Sequence, residues 1–345
     1  MRSRTLRRFA ILIALLAAVY GVGFAGYGFT AGADEYLGGK PRSADCQTPK
    51  SRFGWTYEAV NYDLADDATL LAANAKLTNC ANQGSPVGAE VVAPDGVHLA
   101  AWYIPAAHAP VRVDPSAPTG PTVVIVHGGK ANKSGMLAYA AAFHDTYNVL
   151  VVDLRNSGRS GDADSTGGLH EQADLRAMID WLVRAKDPSW VAVMGNSNGA
   201  STALAEALGD SRVKALILDS MHASVERQVG NVIATEKGLP EWPGAWGLVA
   251  GVSYQLGESV ETVDPIRTIV RLHDRPILLT HGLADVIDRP ADSLERNVAA
   301  ATAAGIDIEV HTCIGAGHGE VVTVCSGDWA RWVLTFLAEH GGASG

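Results

Sequence analysis

The stretch WVAVMGNSNGASTALAEAL, residues 190–208, decides the fold. A short apolar run ends at the pentad GNSNG, residues 195–199, and an alanine-rich segment of helical composition follows. This order predicts a strand, a tight turn and a helix, with a serine at the turn. Glycines on either side of the serine let strand and helix approach closely while the serine takes a strained backbone and projects its hydroxyl. The stretch therefore predicts a nucleophile elbow at Ser197.

A second glycine-rich turn, HGGK at residues 127–130, follows the apolar run TVVIV. Such a turn can direct a backbone N–H at a developing oxyanion, together with the N–H of the residue after the nucleophile. We expect these donors to be the amides of Gly129 and Asn198, with Lys130 as the alternative for the first. His127, beside the turn, is predicted to have a structural role.

A serine hydroxyl becomes a good nucleophile only when a base accepts its proton, and the base in turn needs an acid to orient it. His318 lies in the loop IGAGHG, residues 314–319, between the last predicted strand and the last helix. Asp285 follows the preceding apolar strand, so the chain order is Ser, Asp, His. We expect His318 to be the general base and Asp285 its acid. Asp219, at the end of another apolar run, is the alternative acid.

Short apolar runs alternate with helical stretches from residue 86 onward. Continuous aliphatic runs are typical of strands that are covered on both faces. The pattern predicts an α/β fold with a mostly parallel eight-stranded sheet, opened by an antiparallel hairpin at residues 89–104, and helices on both faces. The predicted strands are 89–93, 99–104, 122–126, 149–153, 191–194, 215–218, 277–280 and 308–312.

The stretch 221–275 interrupts this alternation and is predicted to form a small helical cap over the strand ends. Trp242, Trp246 and Tyr254 lie in it, and we expect them to line an apolar substrate pocket; ordinary helix packing is the alternative. Residues 34–85 are predicted to be an extension, with one short helix, that packs on the main domain of residues 86–345.

The N-terminus carries four arginines in MRSRTLRR, and an uncharged apolar stretch, residues 9–29, follows. Two interpretations of residues 1–33 stay open: a signal peptide cut after Ala33, which would secrete the protein, or an uncleaved transmembrane anchor. The anchor is favoured because the apolar stretch exceeds the usual ~7–15-residue signal core. By the positive-inside rule the arginines stay in the cytoplasm and the catalytic domain lies outside the cell membrane.

The cysteines and the charge exclude other classes of site and partner. Four cysteines in an exported chain allow three disulfide connectivities, and sequence proximity favours Cys46–Cys80 and Cys313–Cys325. No C-x-x-C pair is present, so no metal site is expected. A net charge of −10 argues against nucleic-acid binding, which requires a basic surface.

The order of HGGK, DLRNSGRS, GNSNGA, LDS, HGLAD and GAGH resembles the α/β-hydrolase superfamily over about residues 86–342. It is most similar to the membrane-anchored branch of Bem46-like and peptidase S15/S9-related hydrolases. The resemblance implies hydrolysis of carboxylic esters, thioesters or amides through an acyl-enzyme on Ser197, without a cofactor. We expect a small-molecule or lipid ester as substrate. A peptidase, an acyltransferase and a non-catalytic envelope-binding protein are the alternatives.

Overall fold

The computed structural model of the chain describes residues 2–38, 47–60, 91–108 and 117–340, with side chains from residue 11 onward. The predicted helix near residues 64–77 and the predicted Cys46–Cys80 disulfide lie outside these residues.

A mixed sheet runs through the middle of the described structure. Its strand order is β1-β3-β5-β4-β6-β7-β8-β9, with the short β2 paired to β3. Pairs that involve β1, β2 or β3 are antiparallel, and all the others are parallel. The strands are β1 Glu58–Val60, β2 Val91–Val92, β3 His98–Ile104, β4 Thr122–Val126, β5 Asn148–Asp153, β6 Val191–Asn196, β7 Val213–Asp219, β8 Ile277–Gly282 and β9 Ile308–Cys313.

Helices cover both faces of the sheet, as the unbroken apolar runs predicted. Every residue of β4, β5, β6 and β8 is buried, so neither face of these strands meets solvent. The helices are α1 Arg2–Tyr27, α2 Ala33–Leu37, α3 Pro49–Phe53, α4 Leu137–Phe143, α5 Glu171–Lys186, α6 Asn198–Ala207, α7 Val225–Lys237, α8 Gly244–Leu256, α9 Pro265–Thr268, α10 Leu294–Ala303, α11 Val321–Val324 and α12 Ser326–His340.

The predicted number of strands, eight, is one too low, because the sheet has nine strands in the described residues. The extra strand, β1, lies in the predicted N-terminal extension and pairs with β3. Only three residues long, β1 has no recognisable apolar run of its own, and its pairing is supplied by the neighbouring strand. The extension therefore contributes to the sheet as well as packing on it.

The cap consists of α7 and α8 with the short helical turns that follow them. Ser224 begins α7 by accepting the N–H of Arg227, and Gly238, with a positive φ, ends it. These helices do not pack alone: a separate apolar cluster joins them to the end of the N-terminal helical segment. The cap was predicted within residues 221–275, and the structure adds α1 and α2 to it.

The N-terminal segment is helical without a break from Arg2 to Leu37, with one π-helical turn at Gly28–Gly32 between α1 and α2. Its part from Ile11 to Leu37 is long and apolar enough to cross a membrane and is largely unburied. Among the described residues no second helix meets that criterion.

Candidate active site

Ser197 stands at a sharp turn between β6 and α6. Its backbone has φ 52° and ψ −121°, a strained conformation for a residue with a side chain. A Cβ on Gly195 would lie 2.3 Å from the carbonyl oxygen of Gly199, and a Cβ on Gly199 would lie 2.4 Å from that of Val126. Only glycine fits at both positions, so the pentad spacing is required by the close approach of strand and helix.

Three distant side chains form one hydrogen-bonded file at this turn. His318 Nε2 lies 2.9 Å from Ser197 Oγ, and His318 Nδ1 lies 2.8 Å from Asp285 Oδ2. If Nδ1 carries the proton and donates to the carboxylate, Nε2 is left as the acceptor for the serine hydroxyl. The predicted serine and aspartate therefore each contact the predicted histidine, one at either ring nitrogen.

The carboxylate of Asp285 is held in the loop after β8, three residues beyond the end of the strand. Its Oδ1 accepts the backbone N–H groups of Ile287 and Asp288 at 2.9 and 2.8 Å, which leaves Oδ2 for His318. Asp285 is only 3% exposed. A buried carboxylate with both oxygens occupied is well suited to fixing the orientation of an imidazole.

A second carboxylate faces the same imidazole. Asp288 Oδ2 lies 3.7 Å from His318 Nδ1. Burial raises the pKa of Asp288 to about 7, and the charge of Asp285 adds to this while His318 opposes it. Burial works against the charged form of His318, but the hydrogen bond to Asp285 and the charges of Asp288, Asp285 and Asp219 together outweigh it, and its pKa is raised. The sequence carried no signal for Asp288, because it does not end a strand.

The alternative acid, Asp219, has other partners. Its Oδ2 accepts from Tyr139 Oη and Asn196 Nδ2, both at 2.8 Å, and its Oδ1 accepts from Thr280 Oγ1 at 2.7 Å. The N–H of Ser197 donates to the backbone oxygen of Asp219. Asp219 thus supports the elbow from behind, and the structure gives it no hydrogen bond to His318.

The HGGK turn packs directly on the elbow. A Cβ on Gly128 would lie 3.0 Å from Ser197 Cβ, and a Cβ on Gly129 would lie 2.9 Å from Asn198 Nδ2. The turn therefore brings the backbone of Gly129 beside the first residue of α6, where the helix offers free N–H groups.

The neighbours of that turn have separate contacts. Lys130 has φ 62°, and its ammonium group lies 3.6 Å from the Glu236 carboxylate on α7, so its side chain points to the cap. His127 is buried, with its Nδ1 2.7 Å from the Gly128 oxygen and its Nε2 accepting the N–H of Leu154 at 3.1 Å. This agrees with the structural role predicted for His127.

A cavity opens next to the same turn, between it, the loop after β5 and the N-terminal segment. Its wall includes Tyr36 of α2 together with Gly129, Lys130, Asn156, Asn198 and Thr202. The wall combines these polar groups with a larger apolar surface.

None of the three aromatic residues predicted for the pocket lines this cavity. Trp242 is 70% exposed, Trp246 54% and Tyr254 76%. The helix α8 turns its glycines toward the N-terminal segment and its aromatic side chains outward, so the structure does not place these residues at the substrate. The composition of the cap could not reveal which face of α8 was covered.

A disulfide brackets the histidine loop. Cys313, at the end of β9, is bonded to Cys325, and the loop between them contains His318. The predicted pairing of these two cysteines is therefore present. Within the described residues, no group of three or more His, Cys, Asp or Glu side chains is arranged to hold a metal ion.

A second serine–histidine contact lies close by in α6. Ser201 Oγ is 3.2 Å from His222 Nε2, but both residues are buried, and burial, reinforced by the charge of His318, lowers the pKa of His222 to about 3. No carboxylate is bonded to this histidine among its described contacts. It is a buried polar pair without access to substrate.

Comparison with known proteins agrees with this architecture. A family model described as the alpha/beta hydrolase fold matches residues 121–249. An esterase of Pyrococcus furiosus superposes with a TM-score of 0.63 at 20% identity, over 89% of this chain and 99% of that one. This chain has the α/β-hydrolase fold. The α/β-hydrolase fold expected from the sequence is thereby confirmed, and the assignment to the Bem46-like branch stays a prediction.

Other α/β-hydrolases and uncharacterised proteins are also similar. A puromycin-hydrolysing peptidase of Mycobacterium tuberculosis superposes with a TM-score of 0.58 at 23% identity, over 77% of this chain and 41% of that one. The uncharacterised protein YqkD of Bacillus subtilis is 30% identical over 183 residues, or 51% of this chain. YfhR of Salmonella typhimurium is 27% identical over 219 residues, or 58% of this chain. The chain spans 58% and 66% of the length of these two relatives.

Proposed function

We propose that this α/β-hydrolase is a serine hydrolase that cleaves carboxylic esters through an acyl-enzyme on Ser197. The observation that carries the proposal is the file of contacts from Ser197 Oγ to His318 to Asp285, at 2.9 and 2.8 Å. A nucleophile, a base and an orienting acid within hydrogen-bond distance are the groups that acyl transfer needs.

The proposed reaction has two halves. Ser197 Oγ attacks the substrate carbonyl carbon as His318 Nε2 takes its proton, and the amides of Gly129 and Asn198 bind the oxyanion. The ester C–O bond then breaks, and His318 gives the proton to the leaving alcohol. Water attacks the acyl-enzyme with His318 again as base, which releases the acid and restores the serine.

Labelling with a fluorophosphonate probe tests the nucleophile. We expect stoichiometric labelling of the wild type and none of Ser197→Ala. Ser201→Ala is the matched control, because Ser201 also contacts a histidine but is fully buried. Labelling that persists in Ser197→Ala, or that disappears in Ser201→Ala alone, would refute the assignment.

Esterases and peptidases share this fold, and the extent of the structural match favours an ester over an amide as substrate. The esterase of Pyrococcus furiosus superposes over nearly its whole length, whereas the peptidase of Mycobacterium tuberculosis is matched over 41% of its chain. A panel of p-nitrophenyl esters and an aminoacyl anilide separates the two activities. Adding an alcohol acceptor to the same assay and analysing the products distinguishes hydrolysis from acyl transfer.

We further propose that the N-terminal helix is retained as a membrane anchor, with the catalytic domain outside. Its support is the packing of the residues around the possible cleavage site: Gly28, Gly32 and Ala33 are buried against the folded protein. Cleavage after Ala33 would remove part of the apolar cluster that holds the cap. The intact mass of the protein extracted from membranes tests this, and a mature chain that begins after Ala33 would overturn it.

A further inference from the structure

The helix α8 lies at the surface of the protein but carries no charge. Its 13 residues, GAWGLVAGVSYQL, include no acidic or basic side chain. Trp246, Ala250 and Tyr254 follow the i, i+4, i+8 spacing that places residues on one stripe of a helix, and Trp242 precedes it. The two tryptophans and Tyr254 are more than half exposed. We call these four residues the aromatic face.

The neighbouring stripe of α8 is covered by the candidate membrane helix. A Cβ on Gly247 would lie 2.2 Å from the carbonyl oxygen of Ala25, and a Cβ on Gly251 would lie 2.1 Å from that of Phe29. The two backbones therefore touch, as they do in membrane helix pairs that meet through small residues. Phe29 and Tyr254 also contact, with ring centroids 5.5 Å apart.

These contacts fix the level of α8 relative to the apolar stretch of residues 9–29. Gly247 meets Ala25, which precedes the end of that stretch at Phe29 by four residues, or ~6 Å at the rise of an α-helix. Trp246 is next to Gly247 in sequence, so the aromatic face begins below the outer end of the apolar stretch. That is the depth at which tryptophan and tyrosine are enriched in membrane proteins.

The other end of α8 has the opposite character. Gln255 Nε2 donates to Asp34 Oδ1 at 2.8 Å, beyond the end of the apolar stretch, and the exposed Glu258 follows the helix. Both helices thus become polar at this level. The inner end of α8 is preceded by Glu241, whose carboxylate is paired with Arg289 at 2.8 Å, so the direction from the bilayer to water is taken from the apolar stretch of α1.

We infer that the aromatic face of α8 lies in the outer interface of the lipid bilayer crossed by α1. The occupant of this surface is lipid, because the surface is continuous with a helix that is long and apolar enough to cross a membrane and is largely unburied. A large exposed apolar patch on a soluble protein is unusual without a partner, and here the partner is set by the docked helix.

The turn of Gly129, which packs on the elbow of Ser197, then lies just above the membrane. Tyr36, in the cavity wall beside Gly129, is seven residues beyond Phe29 on the same helical segment, or ~10 Å along its axis. Resting on the proposed function, this position makes esters of membrane lipids, or acylated molecules held in the outer leaflet, the substrate class of Ser197.

Fluorescence quenching tests the surface without reference to catalysis. The full chain is reconstituted into phosphatidylcholine vesicles with or without lipids brominated near the headgroup end of the acyl chain. We expect brominated lipid to quench the tryptophan fluorescence of the wild type. The double variant Trp242→Phe/Trp246→Phe should lose most of this quenching. Trp332→Phe, a change on α12 where the ring stacks on His311, is the matched control and should quench like the wild type.

Quenching of the double variant equal to that of the wild type would overturn the inference. Dimerisation in vesicles that is lost in the double variant, with no change in quenching, would assign the surface to a second copy and would also overturn it.

Two ester substrates separate this inference from the proposed chemistry. Trp246→Glu should reduce the hydrolysis of a vesicle-embedded lipid ester several-fold and leave that of a water-soluble short-chain ester unchanged. Val92→Glu, a comparable change at a partly exposed apolar residue on β2, should affect neither. An equal rate of wild type and Trp246→Glu on the embedded ester would contradict the lipid substrate class. If the wild type hydrolysed neither ester, the proposed function would be contradicted, and the quenching experiment would still test the lipid-facing surface.

Discussion

At the scale of single residues, the imidazole of His318 is surrounded by negative charge. Asp285 makes the direct hydrogen bond, and Asp288 lies 3.7 Å from the same nitrogen. As a general base His318 must be neutral, so the proposed activity is lost as pH falls through its raised pKa. Each negative charge that is removed near the ring therefore moves this acidic limb.

Replacement of the directly bonded acid should have the largest effect. In Asp285→Asn the NH₂ group that replaces Oδ2 cannot accept a hydrogen bond from Nδ1 of His318, so the histidine loses its correct tautomer. We expect kcat to fall on the order of 10³–10⁴-fold with little change in KM. A variant that retains more than a tenth of the wild-type kcat would show that another group, such as Asp219, serves as the acid.

Asp288→Asn should act differently, because it removes a carboxyl group whose charge develops around pH 7 and leaves the Asp285 bond in place. The pKa of His318 is expected to fall, so the acidic limb of the pH profile of kcat/KM moves to lower pH while the plateau rate changes little. Asp292→Asn, farther along the same loop and paired with Arg227 and Arg289, is the control. An unshifted limb in Asp288→Asn would exclude a role for this carboxyl group in the titration of His318.

Sequence reasoning predicted three side chains in the turns that follow β6, β8 and β9, which the structure brings together, and it missed Asp288. Ser197, Asp285 and His318 were predictable because parallel strands bring their carboxyl ends to one edge of the sheet, where turns expose polar side chains. Asp288 follows Asp285 by three residues and reaches the imidazole only because the loop folds back. That contact depends on tertiary geometry, which local pattern does not encode.

At the scale of elements, the disulfide closes the loop that carries the base. Cys313→Ala/Cys325→Ala should lower the free energy of unfolding by about 3 kcal/mol. This is the contribution expected from the loop-closure entropy of a loop of this length. Denaturant unfolding of the variant and of the wild type, with and without reductant, measures this. Reductant should destabilise only the wild type at this bond, and equal stability of variant and wild type would contradict the expectation.

The helix after the nucleophile contains a buried acid. Burial, reinforced by the charge of Asp210, raises the pKa of Glu206 to about 8 against the opposing effect of Arg176. Because the folded protein holds this proton more tightly than the unfolded chain, stability is lost as pH rises from the unfolded pKa of ~4.5 towards 8.

Glu206→Gln should remove that loss, since the amide cannot ionise. The melting temperature of the variant relative to wild type is expected to rise between pH 5 and pH 8, as followed by circular dichroism. Glu236→Gln, an exposed residue on α7, is the control. Parallel curves for the Glu206 variant and the wild type would refute the raised pKa.

The elements show where local pattern suffices. Strands β4 to β9 were predictable because long apolar runs with turn residues between them leave few alternatives. The three-residue β1 was not, since its strand conformation is set by pairing with β3. The orientation of α8 was also not predictable, because glycines and aromatic residues alternate along it and only the docking of α1 decides which stripe is covered.

At the scale of the whole molecule, the cap and the N-terminal helix form one packed unit. Gly28→Ala places a Cβ 2.5 Å from the carbonyl oxygen of Gly244, whereas Gly26→Ala meets nothing within 4 Å. We expect the first substitution, and not the second, to make the cap more accessible to proteolysis in vesicles. Equal cleavage rates for the two variants would show that the helix contact does not stabilise the cap.

The proposed membrane helix continues to the wall of the cavity, where the backbone oxygen of Leu37 accepts the N–H of Ser165. A continuous helix that is held in the bilayer at one end and by the Leu37 hydrogen bond at the other would keep the active site at a fixed distance from the membrane surface. Ester bonds deep among the acyl chains, or on molecules far from the membrane, would not reach Ser197. The distance of an ester bond from the membrane surface would therefore select substrates before the shape of the pocket does. Inserting whole helical turns into the N-terminal helix would then change which acyl bonds are cleaved without altering the catalytic residues.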